Sequence, residues 1–285
     1  MQTEAMESNK PLPERFRLHR PLGRGASGEV LLVGDLLRGR DVALKVVDAP
    51  DDPVLRAHFP TLARLSHPSL VRILEWIDGV GFTMDPVVGL DLLTALRGPA
   101  VARVQNLVLG QRVEGAASFT PLDAPSLLRV RVLFAQIFDA LSALHHAGLV
   151  HGDLRPENVL VTDDDRAVIL DLDHAAPPQH ERREGVAVGT ATYLAPEIAD
   201  GVRTFASDVY AAGTLLFEAL TGDTPFAGSA QEVFIRKSTV TAPRTSFLVG
   251  AIPADLDDLC AACLDRHREV RPAAEATAQT LLENC

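Results

Sequence analysis

The run His151-Gly152-Asp153-Leu154-Arg155-Pro156-Glu157-Asn158-Val159-Leu160, followed by Asp171-Leu172-Asp173, holds the residues best suited to chemistry. Phosphoryl transfer needs a carboxylate to orient an attacking hydroxyl, and oxygen ligands for a magnesium ion that bridges phosphates. Asp153, Asn158 and Asp171 are the right types for those tasks, in a loop–strand–turn context. Any one of them alone would be an ordinary turn residue.

Upstream, Gly23-Arg24-Gly25-Ala26-Ser27-Gly28-Glu29-Val30 spaces its glycines so that backbone N–H groups can approach phosphate oxygens without side chains in the way. The same spacing can open a dinucleotide-binding strand–helix unit. Here the pattern lies between two strands, which disfavours that reading. Val42-Ala43-Leu44-Lys45 then sets a lysine in an apolar strand, where its charge can neutralise phosphate. Lysine is ordinarily a surface residue, and the apolar setting of Lys45 argues against that fate.

These residues need a frame. Short apolar segments broken by glycine turns, at 16–18, 29–33 and 41–47, read as antiparallel strands, with a helix over 54–65 and strands at 70–76 and 81–84 to follow. Beyond Gly89, apolar residues recur at helical spacing over 127–147 (Leu133, Ile137, Leu141, Leu144) and over 208–220. Helices at 254–264 and 272–282 complete the second half. The predicted fold is α+β: a small antiparallel sheet with one helix, then a larger, mainly helical part. Residues 98–125 fit neither pattern and read as an irregular insertion.

The 285 residues are 47% hydrophobic, enough for a substantial core without disulfides or metals. Three cysteines, Cys260, Cys263 and Cys285, make no disulfide framework and point to a reducing, cytoplasmic setting. Cys260 and Cys263 have redox or zinc spacing, but they lie on a helix with no second pair, which favours two half-buried structural thiols. The N-terminus lacks an apolar leader, and the best apolar run, 211–220, is short and contains Glu218, so no membrane span is expected. A net charge of −11 argues against a nucleic-acid partner. Asp163-Asp164-Asp165 reads as a solvated turn.

In order and spacing the motifs resemble the protein kinase superfamily of the eukaryotic, or Hanks, type in a bacterial style, from about residue 16 to 282. Gly189-Thr190-Ala191-Thr192-Tyr193-Leu194-Ala195-Pro196-Glu197 is similar to the end of an activation segment. Asp208-Val209-Tyr210-Ala211-Ala212-Gly213 is similar to the helix after it, and Arg271-Pro272 to the arginine that pairs with Glu197. The resemblance implies one kinase domain: a tail at 1–15, an N-lobe at 16–88 and a C-lobe at 89–285, with ATP held between the lobes. It implies that Leu22, Gly23, Arg24, Gly25, Ala26, Ser27 and Gly28 cover the nucleotide and that Lys45 contacts its α- and β-phosphates. Val30, Ala43 and Leu160 would sandwich the adenine, whose edge would bond the Asp85 carbonyl and the Val87 N–H, with Met84 as gatekeeper. Asp153 would be the catalytic base, assisted by Arg155 and Thr190, with Asn158 and Asp171 holding magnesium.

The activity so implied is transfer of the ATP γ-phosphoryl group to a protein serine or threonine. Pro156-Glu157 and Gly189-Thr190 favour that class over tyrosine. The alternative is a pseudokinase, a nucleotide-binding scaffold with little turnover. Implied partners are ATP, a protein substrate and regulatory domains fused in a longer parent chain, with neither nucleic acid nor membrane among them.

Five departures from the family pattern stand out. Counting back from His67-Pro68, the helix glutamate that pairs with the strand lysine falls at His58, and no acidic residue occurs between Pro53 and Leu74. Pro60, inside that helix, is expected to shorten or kink it. Asp173 replaces a glycine. Gly152 replaces the arginine that in many kinases pairs with a phosphorylated activation loop. No Ser, Thr or Tyr occurs between Leu172 and Gly189, so activity is not expected to be switched by phosphorylation within that loop.

Overall fold

The computed structural model describes residues 12–25, 27–98, 121–179 and 191–284. The chain forms two compact units, one of residues up to 64 with 72–86, the other of 65–71 with everything from 87 onward. The stretch 65–71, assigned by sequence to the first lobe, thus belongs with the second unit.

The first unit contains strands β1 (Phe16–Gly25), β2 (Gly28–Asp35) and β3 (Arg40–Val47), helix α1 (Pro53–Arg64), and strands β4 (Ile73–Ile77) and β5 (Gly81–Met84). The strands form one antiparallel sheet in the order β1-β2-β3-β5-β4. Alternation sorts its faces. Leu31, Val33, Val42, Leu44 and Val46 join Phe16 in a buried cluster on one side. Residues directly opposite across a strand pair share a face. The pairs Val30–Lys45, Lys45–Phe82 and Ala43–Met84 therefore gather Val30, Ala43, Lys45 and Met84 on the other side.

Helix α1 packs through Phe59, whose ring lies 5.2 Å from that of Trp76 and 6.0 Å from that of Phe82. The Asp52 carboxylate accepts the Val54 and Leu55 N–H groups at 2.7 and 3.1 Å and starts the helix. Contrary to expectation, α1 runs on through Pro60 to Arg64. Leu55 and Leu62, buried on either side of the proline, anchor both turns, and packing of an apolar face outweighs propensity. Arg15 bridges Asp35 at 2.7 Å and Glu75 at 2.8 Å, tying β2 to β4.

The second unit contains β6 (Leu90–Asp91), α2 (Leu92–Arg97), α3 (Ala124–His146), β7 (Val159–Val161), β8 (Ala167–Ile169), α4 (Phe205–Thr221), α5 (Ala230–Thr239), α6 (Thr245–Leu248), α7 (Ala254–Cys263) and α8 (Ala274–Glu283). Every residue of α4 from Ser207 to Thr221 is buried, as a helix apolar all round must be. It packs on α3 and α7, and α3 packs on α8. A small antiparallel sheet, β6-β7-β8, carries the loop that holds Asp153. The turn at 163–165 is exposed, as expected.

Three sequence readings need correction here. Leu70 does not begin β4; it bridges to Ile169 beside β8. The insertion is narrower than 98–125, because Gly98 caps α2 and residues 124–125 open α3, while 99–120 lie outside the described residues. Cys260 and Cys263 are 1% and 0% exposed, not half-buried. Burial pushes both thiols up, Cys263 to about 12, so neither is reactive. Among the described residues, no group of three or more His, Cys, Asp or Glu is placed to hold a metal, and no helix is long and apolar enough to cross a membrane.

Candidate active site

The catalytic loop hangs on a buried histidine. His151 is 0% exposed, and its Nε2 lies 2.9 Å from the Leu170 carbonyl, which can only accept. Nε2 therefore carries the proton, and Nδ1 accepts the Asp153 N–H at 3.2 Å. The Asn158 amide nitrogen donates to the Asp153 carbonyl at 2.8 Å and to its Oδ2 at 3.2 Å. With its nitrogen so engaged, Asn158 keeps Oδ1 as an acceptor. The Leu170 N–H bonds the Asn158 carbonyl at 2.8 Å, which sets Asp171 next to this loop. Asp171 itself has φ 59° and ψ 52°, a left-handed conformation that Asp tolerates better than most side chains and that recurs both in turns and at active sites. Arg155 Nε lies 4.0 Å from Asp153 Oδ2 and 3.6 Å from Glu157 Oε2. Asp153, Arg155, Asn158 and Asp171 are thus collected in one place in the second unit.

A carboxylate behind the loop fixes it. Asp208 accepts the His151 and Gly152 N–H groups at 2.8 and 2.9 Å and bonds His145 Nε2 at 2.9 Å. Burial alone would raise its pKa; the His145 hydrogen bond and charge outweigh that and hold it below the ordinary carboxylate range.

The segment 191–197 is fastened twice. Arg271 makes a bidentate pair with Glu197 at 2.7 and 2.8 Å, and its Nη1 also donates to the Ala206 carbonyl at 2.9 Å. Burial pushes Glu197 up, but Arg271 wins and holds it low. Lys237, on α5 and 1% exposed, donates from Nζ to the carbonyls of Ala191, Thr192 and Leu194 at 2.8, 2.6 and 2.7 Å. Sequence reasoning missed this lysine. The signal that leads to it is the Ser229–Glu232 capping box that starts α5 and puts Val233 and Lys237, four apart, on its buried face.

In the first unit Lys45 is 3% exposed on β3. A Cβ on Gly28, whose φ is +146°, would overlap the Val46 carbonyl oxygen, whereas Gly23 and Gly25 have open space beside them. Gly28 is thus required by its strand neighbour, and the other two leave the approach to the backbone clear. Leu22 and Arg24 are exposed, Arg24 reaching Asp48 at 4.0 Å, and the Ser27 carbonyl accepts the Asp48 N–H at 3.0 Å. The Asp85 N–H bonds the Arg72 carbonyl at 2.9 Å and its carboxylate pairs with Arg40 at 2.8 Å. His58 is half-buried on α1. Val87 and Leu160, in the second unit, are half-buried. Ala26 and Thr190 lie outside the described residues.

Asn158 and Asp171 supply two hard oxygen donors, which suits a divalent cation whose other ligands are phosphate and water. A cation caged by protein alone would need more ligands than the described residues assemble.

Comparison with known proteins identifies the family. A family model described as a protein kinase domain matches residues 16–282. Serine/threonine-protein kinase PknE of Mycobacterium tuberculosis is 33% identical over 90% of this chain and 43% of its own length. PknL of the same species is 31% identical over 90% of this chain and 62% of its own length. A probable serine/threonine-protein kinase PknB of Corynebacterium glutamicum is 31% identical over 77% of this chain and 33% of its own length. The chain therefore spans less than two thirds of each of these relatives. With its motifs in order on this two-unit frame, the chain belongs to the protein kinase domain family.

Proposed function

We propose that the chain is an ATP-dependent serine/threonine protein kinase domain using magnesium as its divalent cation. The observation that carries this reading is the hydrogen-bonded loop in which Asn158 holds the Asp153 carboxylate, with Asp171 alongside. Asp153 orients the substrate hydroxyl and takes its proton as attack on the γ-phosphorus begins. Arg155, beside Asp153, presents positive charge to the transferring group. Lys45 neutralises the α- and β-phosphates, and backbone N–H groups of 23–28 cover them. Val30, Ala43 and Leu160 pack on the adenine, and Asp85 and Val87 bond its edge. Asn158 Oδ1 and the Asp171 carboxylate would hold the magnesium, which would supply positive charge to offset that of the phosphates.

The names of the relatives support catalysis in this family branch, and their greater length supports further domains fused to this one. The site's chemistry and the acidic surface fit a protein substrate in the cytoplasm. His58, in place of a carboxylate, favours a second reading, a nucleotide-binding scaffold with little turnover. Incubation with Mg-ATP and a panel of protein substrates separates the two. The kinase reading expects phosphate on serine or threonine that Asp153→Asn abolishes; nucleotide binding without any transfer, to substrates or to itself, would overturn it.

A further inference from the structure

The Arg203 guanidinium occupies the space that a side chain at Gly152 would take. Gly152 has φ +77°, and a Cβ on it would overlap the Arg203 guanidinium. Arg203 Nη2 shares its N–H groups among three main-chain carbonyls, those of Val150 and His151 at 2.8 Å each and of His174 at 2.5 Å. The Arg203 backbone is paired in both directions with Gln179 at 2.8 Å. Val150 and Ala176 pair both ways as well, at 2.8 and 3.1 Å. A little further along, Asp208 takes the N–H groups of the same loop, those of His151 and Gly152. One short stretch, 203–208, thus grips the catalytic loop by its carbonyls with a cation and by its amides with an anion.

We propose that Arg203 is a positioning residue, a phosphate-independent clamp that fills the space left at Gly152 and holds the catalytic loop in register with the segment after Asp171. The inference rests on the kinase reading. A side chain at 152 would push this guanidinium from its three carbonyls, and φ +77° disfavours one there, so the glycine favours the clamp and is not merely the loss of a phosphate sensor. The contacts that define the clamp are charge-assisted hydrogen bonds to main-chain carbonyls, none of which involves a phosphate.

The test uses the full chain with Arg203→Ala, Arg203→Lys, Gly152→Ala and the double variant Gly152→Ala/Arg203→Ala. Arg203→Ala is expected to lower kcat by roughly ten- to a hundredfold with KM for ATP unchanged, since small misplacements of reacting groups have that effect. Amide exchange at 150–153 and 174–179 should quicken. Arg203→Lys, with three donors on one nitrogen, should recover part of the rate. Gly152→Ala should reproduce the loss, and the double variant should be no worse than either, because both changes remove one contact. Phosphatase-treated wild type should keep its full rate. Wild-type kcat and exchange in Arg203→Ala, additive losses, or a rate that falls with phosphatase would each overturn the clamp. If Arg203→Ala does not fold, Gly152→Ala takes the same readouts. If the wild type transfers no phosphate at all, the kinase reading fails and the exchange pattern alone still decides the clamp.

Discussion

At the scale of single residues, the second unit places ionised groups in its interior only where partners compensate them. The Arg271–Glu197 pair is the clearest case, since Arg271 has a fully buried side chain bonded to the carboxylate and to main-chain carbonyls. Arg271→Met leaves Glu197 charged and uncompensated, so urea denaturation should show a loss of about 3–5 kcal/mol. Glu197 is held below its ordinary value of 4.5, so its contribution is present above that pH and fades as pH falls through the lower folded value. Lys237 runs the other way. Burial drives it from 10.5 to about 7, with Glu197 opposing and Arg271 assisting, and the Tyr210 ring, 5.2 Å away, is its neutral neighbour. Between about pH 7 and 10.5 the unfolded chain keeps a proton that the folded protein has shed. This group therefore adds stability as pH rises across that window. Lys237→Met should flatten the stability–pH curve there; an unchanged slope would mean that Lys237 does not titrate in that range.

At the scale of elements, α1 shows where sequence reading held and where it stopped. The family spacing puts His58 where a carboxylate is expected, and the helix bears out its orientation: His58 lies three residues after Leu55 and four before Leu62, both buried, so it shares their stripe. On the face of the sheet where α1 packs stands Lys45. His58→Glu should raise kcat severalfold, read in a steady-state assay; no change would mean that Lys45 is held by other means. Pro60, exposed in mid-helix, leaves a second mark. Pro60→Ala should stabilise the chain by about 1–3 kcal/mol in denaturant titration, because proline is the least favourable helix residue. The strands and long helices were legible because alternation and helical spacing are local, and so were the residues of the catalytic loop. Passage of α1 through Pro60 was not, because it depends on aromatic packing from β4 and β5. The capping box of α5 points to the buried face that holds Lys237, but the partners of Lys237 and the Gly152–Arg203 fit were not legible, since each joins residues far apart in the chain that no spacing rule connects.

For the molecule as a whole, the surplus of acidic residues bears on how it meets its nucleotide. A chain of net charge −11 repels a free nucleoside triphosphate at long range, so binding depends on local cations and on a metal that neutralises phosphate. In the proposed function Lys45 would supply the first, and the Asn158–Asp171 pair would give the second a seat. A ligand that binds only the folded chain stabilises it by mass action, by about 2.7 kcal/mol at a hundredfold excess over Kd. For a chain of this size that is a rise in Tm of roughly 4–5 °C. Mg-ATP should therefore raise the melting temperature by that order, and chelating the metal should remove most of the gain. Lys45→Met and Asp171→Asn should each shrink the shift, and Asp153→Asn should leave it nearly intact while abolishing transfer, because the proposed function has Asp153 act on the hydroxyl and not on the nucleotide. A shift indifferent to both metal and Asp171 would place the nucleotide elsewhere and leave these oxygen donors without their proposed role.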